Sequence, residues 1–183
     1  MKRHKVLDPG ATYTFSKYFE LPYAPQDILA DLDCTLVRTS ETVLPYSSVT
    51  LDWLADLAAS LTRRLQRVSV TSEQARREAL IFPVIDALCD RFDYPINIEY
   101  ALQVSPWLRG SLDYYIPSAQ GLLVIEAKQS DLAKGFTQLA VELIALDQWI
   151  ESEQTILKGA ISTGNIWQFG HFDRTARVMT QDL

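Results

Sequence analysis

The chain has 183 residues, 48% of them hydrophobic and 22% charged, enough to bury one core and short for two. Its two cysteines, Cys34 and Cys89, lack CxxC spacing and a nearby histidine pair, which argues against a zinc site or a disulfide framework and suits a reducing cytoplasm. The net charge of −6 speaks against a general nucleic-acid-coating protein, while a local basic patch on an acidic chain leaves a nucleic-acid enzyme open.

The opening stretch, MKRHKVLDPG, is basic but no apolar run follows it, so no secretory signal is expected. No stretch reaches the ~18 apolar residues that a membrane helix needs. Residues 1–27 mix aromatics with Pro22 and Pro25 and are expected to wrap the domain as loops and short pieces. Between 28 and 44 the best strand candidate is Cys34–Val37. Residues 51–67 predict an amphipathic helix, with Leu51, Leu54, Leu57, Leu61 and Leu65 three or four apart. Asp52 and Asp56 near its start and Arg63, Arg64 and Arg67 at its end suit the helix dipole.

A second helix is expected over Thr71–Cys89, capped by a Thr71/Gln74 capping box and kinked at Pro83. Three strand-like runs follow: Ile96–Val104, Ser111–Ile116 and Leu122–Lys128. Asp131–Ile150 then predicts a long apolar helix. Thr155–Thr163, Asn165–Phe169 and Ala176–Met179 predict closing strands, with a Gly164-Asn165 turn between the first two. The order is αβββαβ, a mixed α/β sheet flanked by helices. We expect one compact domain, with 1–70 as an N-terminal extension and helix packed on a core at 71–183.

The run GLLVIEAKQS (121–130) is apolar on both faces and then ends in Glu126 and Lys128. A strand apolar on both faces is usually a central one. On the preceding strand, Ser111, Asp113 and Tyr115 should share a face opposite Leu112, Tyr114 and Ile116. If the two strands pair, Asp113 lies beside Glu126 and Lys128. Two close carboxylates repel and drive one another toward protonation. A divalent cation removes that conflict, and Mg²⁺ takes one or two carboxylates, a carbonyl such as that of Ala127, and waters. Lys128 would then serve a water or a developing negative charge.

Asp113, a Gly-led turn and Glu126-Ala127-Lys128 at the end of an apolar strand resemble the PD-(D/E)XK nuclease signature. SEQARREALIFPVIDAL (72–88) resembles the first helix of that restriction-endonuclease-like fold. YPINIEYAL (94–102) resembles the next strand in the subgroup related to the nuclease domain of type I restriction-enzyme R subunits. KGFTQLAVEL (134–143) resembles the helix that carries a family glutamine. The resemblance covers roughly residues 70–180. Leu112 stands where the family often has proline, and Glu142 where its Gln-x-x-x-Tyr motif has tyrosine.

The resemblance implies metal-dependent hydrolysis of DNA phosphodiester bonds, with RNA as the alternative substrate. Asp113, Glu126, the Ala127 carbonyl and Glu73 would hold Mg²⁺ or Mn²⁺. Lys128 would position the attacking water, and Gln138 would orient that water or a phosphate. Glu78 is the second choice for the acid of the first helix. Small enzymes of this fold often dimerise, and a defence, repair or mobile-element system with a partner protein is the expected setting. Arg63, Arg64, Arg67, Arg76 and Arg77 offer phosphate contacts on one reading and a solvated helix end on the other. Trp107 is a stacking platform or, better, a loop anchor. Glu99 is read as an edge position outside the site.

Two rivals remain at this level. A non-catalytic module could keep the fold and bind nucleic acid or a partner protein without cutting. DLDCTLV (31–37) resembles the Asp-x-Asp-Gly-Thr motif of haloacid-dehalogenase-type phosphatases, but Cys34 replaces the glycine and no alternating strand–helix series follows.

Overall fold

The computed structural model describes residues 4–40, 51–118, 122–126 and 131–183. Two short helices, α1 (Phe15–Glu20) and α2 (Pro25–Asp31), precede strand β1 (Thr35–Thr39). Helix α3 spans Leu54–Leu65. The expected second helix is one continuous rod in three parts: α4 (Glu73–Arg76), a π-helical turn (Arg77–Ile81) and α5 (Phe82–Phe92). Strands β2 (Asn97–Gln103), β3 (Arg109–Ile116) and β4 (Leu122–Glu126) lead to helix α6 (Leu132–Trp149). Strands β5 (Ile156–Ser162), β6 (Trp167–Asp173) and β7 (Val178–Asp182) close the chain.

All seven strands form one mixed sheet in the order β1-β7-β6-β5-β4-β3-β2. The strand that is apolar on both faces, β4, sits inside it, antiparallel to β3 and parallel to β5. Helix α6 is the crossover between β4 and β5. It is apolar almost all round, and such a helix has to be covered on every side. The sheet covers one side of it, while α1 and α2 pack on it from the N-terminal segment. Strand β1 from that same segment pairs in parallel with β7. A second, smaller cluster under α5 joins Ile81, Ile85 and Cys89 to Tyr114 and Ile116. The fold is therefore a mixed α/β sheet flanked by helices. Among the described residues, no helix is long and apolar enough to cross a membrane.

Three local expectations change. The cap of α4 is Ser72, whose hydroxyl accepts from the Ala75 N–H at 3.1 Å, and not Thr71. The turn just before Pro83 is widened, with Phe82 N–H reaching back to the Arg77 carbonyl, so the helix runs on through the proline with its lost N–H accommodated by a π turn. The third change is in the pleat. Leu112 packs in the α6 cluster, but Tyr114, two residues on, packs in the α5 cluster. Opposite them Glu99 adopts a left-handed φ of 52° between the pairs Ile98↔Tyr114 and Tyr100↔Leu112. The sheet thus reverses its faces at Glu99 and Asp113. Tyr115, expected to face away from Leu112, packs against the same α6 cluster as Leu112.

Asp31, the first aspartate of the phosphatase-like stretch, is buried, and its Oδ2 accepts from the backbone N–H groups of Val6 (2.6 Å) and Leu7 (2.8 Å). It ties the N-terminal segment to α2. Trp107 is likewise an anchor: its indole N–H donates to the Asp8 carbonyl at 3.1 Å.

Candidate functional site

Asp113 lies at the pleat reversal, and residues from both helical layers join it in lining one hollow of ≈ 360 Å³. Glu73 and Arg77 enter from the α4 side, Gln138 from α6, and Glu99, Ser111 and Asp113 from the sheet. The hollow brings together four expected site residues: Glu73, Asp113 and Gln138 of the expected catalytic set, and Arg77 of the expected phosphate contacts. Glu78 lies in a neighbouring hollow lined by Phe82, Ile98 and Tyr114, where its carboxylate accepts from the Gln74 amide at 3.0 Å. Of the two acids on this helix, Glu73 is the one beside Asp113.

Glu126 closes β4, with its Cα opposite Ser162 of β5, and Val124 two residues earlier opposite Tyr114. Ala127 and Lys128 lie outside the described residues. Among the described residues no group of three His, Cys, Asp or Glu side chains is arranged to hold a metal ion. Glu73 and Asp113 alone still meet the minimum of one or two carboxylates that Mg²⁺ asks of a protein.

Arg77 ties the site together. Its Nη1 lies 2.7 Å from Glu99 Oε1 and 3.6 Å from Asp113 Oδ1, and its guanidinium stands over the Tyr114 ring at 5.4 Å. Burial works against its charge, but Asp113, helped by Tyr114 and Glu99, more than offsets that and holds it firmly cationic. Its position follows from the widened turn, since Arg77 is the first residue of the π segment. Such turns are frequent at functional sites.

The other expected basic residues do not share this place. Arg63 and Arg67 are exposed on or just beyond α3, and Arg67 Nε donates to the Arg63 carbonyl at 3.2 Å. Arg64 lies on the last turn of α3. Arg76 Nε donates to the Val70 carbonyl at 3.0 Å. Of the five, only Arg77 lines the hollow.

Two acids missed in the sequence belong here. Glu99, read as an edge position, is on the hollow's wall and paired with Arg77. Its strained φ is a tertiary feature with no sequence signal. Glu142 had a signal: it is the single charged residue in LAVELIAL, the apolar middle of α6. It is fully buried; its Oε1 accepts from the Gln138 Nε2 amide at 2.9 Å, and its Oε2 has no hydrogen-bond partner among the described residues. Burial pushes its carboxyl well above the ordinary glutamate range; Gln138 opposes this and nearby Asp113 adds to it.

Comparison with protein-family models, curated proteins and solved structures finds no match.

Proposed function

We propose that the chain is a metal-dependent nuclease of the restriction-endonuclease-like fold that hydrolyses DNA phosphodiester bonds. One observation carries the reading. Glu73, Asp113 and Gln138, which the family resemblance singles out in the sequence, come from a helix, a strand and a second helix and meet in one hollow. On this reading Asp113 and Glu126 would hold Mg²⁺ or Mn²⁺, with Glu73 and the Ala127 carbonyl. Such a cation neutralises phosphate charge and acidifies water.

The chain's own groups do the rest. Lys128, two residues past Glu126, orients the attacking water and stabilises negative charge at phosphorus. Arg77 is a fixed cation at the wall, placed to meet a phosphate oxygen. Hydrolysis forms a bond from water oxygen to phosphorus and breaks one P–O ester bond. The water's protons leave to the site's acceptors and to the departing sugar oxygen.

A second reading has one observation in its favour. Arg77 already supplies Asp113 with a counter-charge, which a non-catalytic module that binds nucleic acid or protein would retain. Cleavage of plasmid and linear DNA with Mg²⁺ or Mn²⁺ separates the two, comparing wild type with Asp113→Ala and Lys128→Ala purified identically. The expected result is cleavage by wild type and a loss of about 10³-fold or more in both variants. Calorimetry should show Mn²⁺ binding that Asp113→Ala abolishes. Equal cleavage by all three proteins would place the activity elsewhere. No cleavage and no Mn²⁺ binding would leave the binding module.

A further inference from the structure

The carboxyl of Glu142 is an anomaly for stability. It sits at the centre of a helix that is buried on every side, between Val141 and Leu143, with no exposed surface. Leaving one buried oxygen without a partner is destabilising. An apolar residue of the same shape would avoid that cost. Among the described residues Glu142 has a single bond, from the amide of Gln138 one turn earlier on the same helix.

That bond fixes which end of Gln138 faces the hollow. A side-chain amide has one donating end, NH₂, and one accepting end, the carbonyl. Glu142 Oε1 takes the NH₂ at 2.9 Å. The accepting end is then left for the hollow that Gln138 shares with Asp113 and Arg77. An acceptor repels phosphate oxygens, which are acceptors themselves, and welcomes a hydrogen donor. Water is the donor that hydrolysis requires.

Resting on the nuclease reading above, we propose that Glu142 is a positioning residue. By holding the Gln138 amide NH₂ it turns the Gln138 carbonyl into the hollow, to accept a hydrogen from the attacking water and not to contact the phosphate. Of the two roles that the sequence leaves open for Gln138, the geometry points to water.

Two substitutions and two readouts test this. Glu142→Met keeps the length and helix preference of the side chain and removes its oxygens. Glu142→Gln keeps an accepting oxygen. The Gln138 side-chain NH₂ signal, assigned by its loss in Gln138→Ala, is followed by ¹⁵N NMR. Slow exchange with solvent is expected in wild type and Glu142→Gln. In Glu142→Met it should be at least about tenfold faster, while the melting temperature rises by about 2–4 °C. In cleavage assays Glu142→Met should lose about tenfold or more in kcat with KM within about twofold, and Glu142→Gln should restore kcat to within about threefold.

An unchanged Gln138 signal in Glu142→Met would overturn the proposal, as would wild-type kcat in that variant. A rise in KM at constant kcat would also overturn it, because Gln138 would then be a phosphate contact. If wild type cuts no DNA, the nuclease reading falls, and the exchange rates still decide whether Glu142 orients Gln138. If wild type cuts and the exchange rates are equal, the positioning role falls and the nuclease reading stands.

Discussion

Glu142 and Arg77 show opposite ways to keep a charge-bearing side chain inside a protein. Arg77 is paired: two carboxylates and an aromatic face compensate for its lost water, so it stays ionised. Glu142 has one amide and no cation among its hydrogen-bond partners, so it keeps its proton. This sets a pH dependence. Below the ordinary glutamate pKa of ~4.3 the carboxyl is protonated in both folded and unfolded chains. Above it the unfolded carboxyl ionises while the folded one keeps its proton. The folded state then binds more protons, and stability falls as pH rises until the raised folded value is passed. Glu142→Gln does not ionise and lacks that slope. Its stability advantage over wild type should therefore grow from about pH 4.3 upward, read as urea midpoints between acid and neutral pH. Parallel profiles for the two proteins would mean that Glu142 is ionised in the fold.

At the scale of elements, the widened turn at Arg77–Ile81 aims the site. Proline has no N–H, and its ring crowds the carbonyl four residues back, here that of Ala79. Widening the turn ahead of Pro83 moves that carbonyl aside. It also adds one residue to the turn, and each residue of an α-helix turns the chain by about 100°. Without the wide turn, Glu73 and Arg77 would be rotated by about that much relative to α5, away from Asp113. Pro83→Ala restores the N–H and removes the crowding. The expected outcome is a melting temperature equal to or above wild type with weaker Mn²⁺ binding by calorimetry. Unchanged Mn²⁺ binding would show that packing of Leu80 and Ile81 alone holds the turn. The reversal at Glu99 acts in the same way on β3, letting one strand residue, Asp113, share a hollow with residues of both helical layers.

At the scale of the whole molecule, the segment 4–40 is part of the core. Leu7, Phe15, Tyr18, Ile28 and Leu29 are fully buried in the cluster that encloses α6. Thr35–Thr39 also covers the edge of β7. Fully burying one large apolar side chain contributes roughly 1.5–3 kcal/mol, so these five together are comparable with the whole margin of an ordinary domain. A fragment of residues 71–183, which spans all the expected catalytic and metal-holding residues, should therefore lack a cooperative thermal transition and aggregate on concentration. A sharp melt for that fragment would show that α1, α2 and β1 are dispensable. The exposed edge of β2 has its own protection. The left-handed residue at Glu99 twists the strand, which discourages pairing with a second sheet edge.

Patterns of period two and period 3.6 made most of the elements legible in the sequence. They gave the interior position of β4, the two flanking helices and the closing strands, because burial imposes those periods locally. The set of Glu73, Asp113 and Gln138 was legible as residue types at the right places along the chain. Their meeting in one hollow was decided by tertiary structure, through a π turn and a pleat reversal, neither of which has a local period, and through the docking of the crossover helix. Glu99 was read outside the site because its left-handed backbone has no signature in residue type. The role of α1, α2 and β1 was hidden for a similar reason. A short amphipathic segment says that it must be covered, but only the fold says that α6 and β7 are its partners.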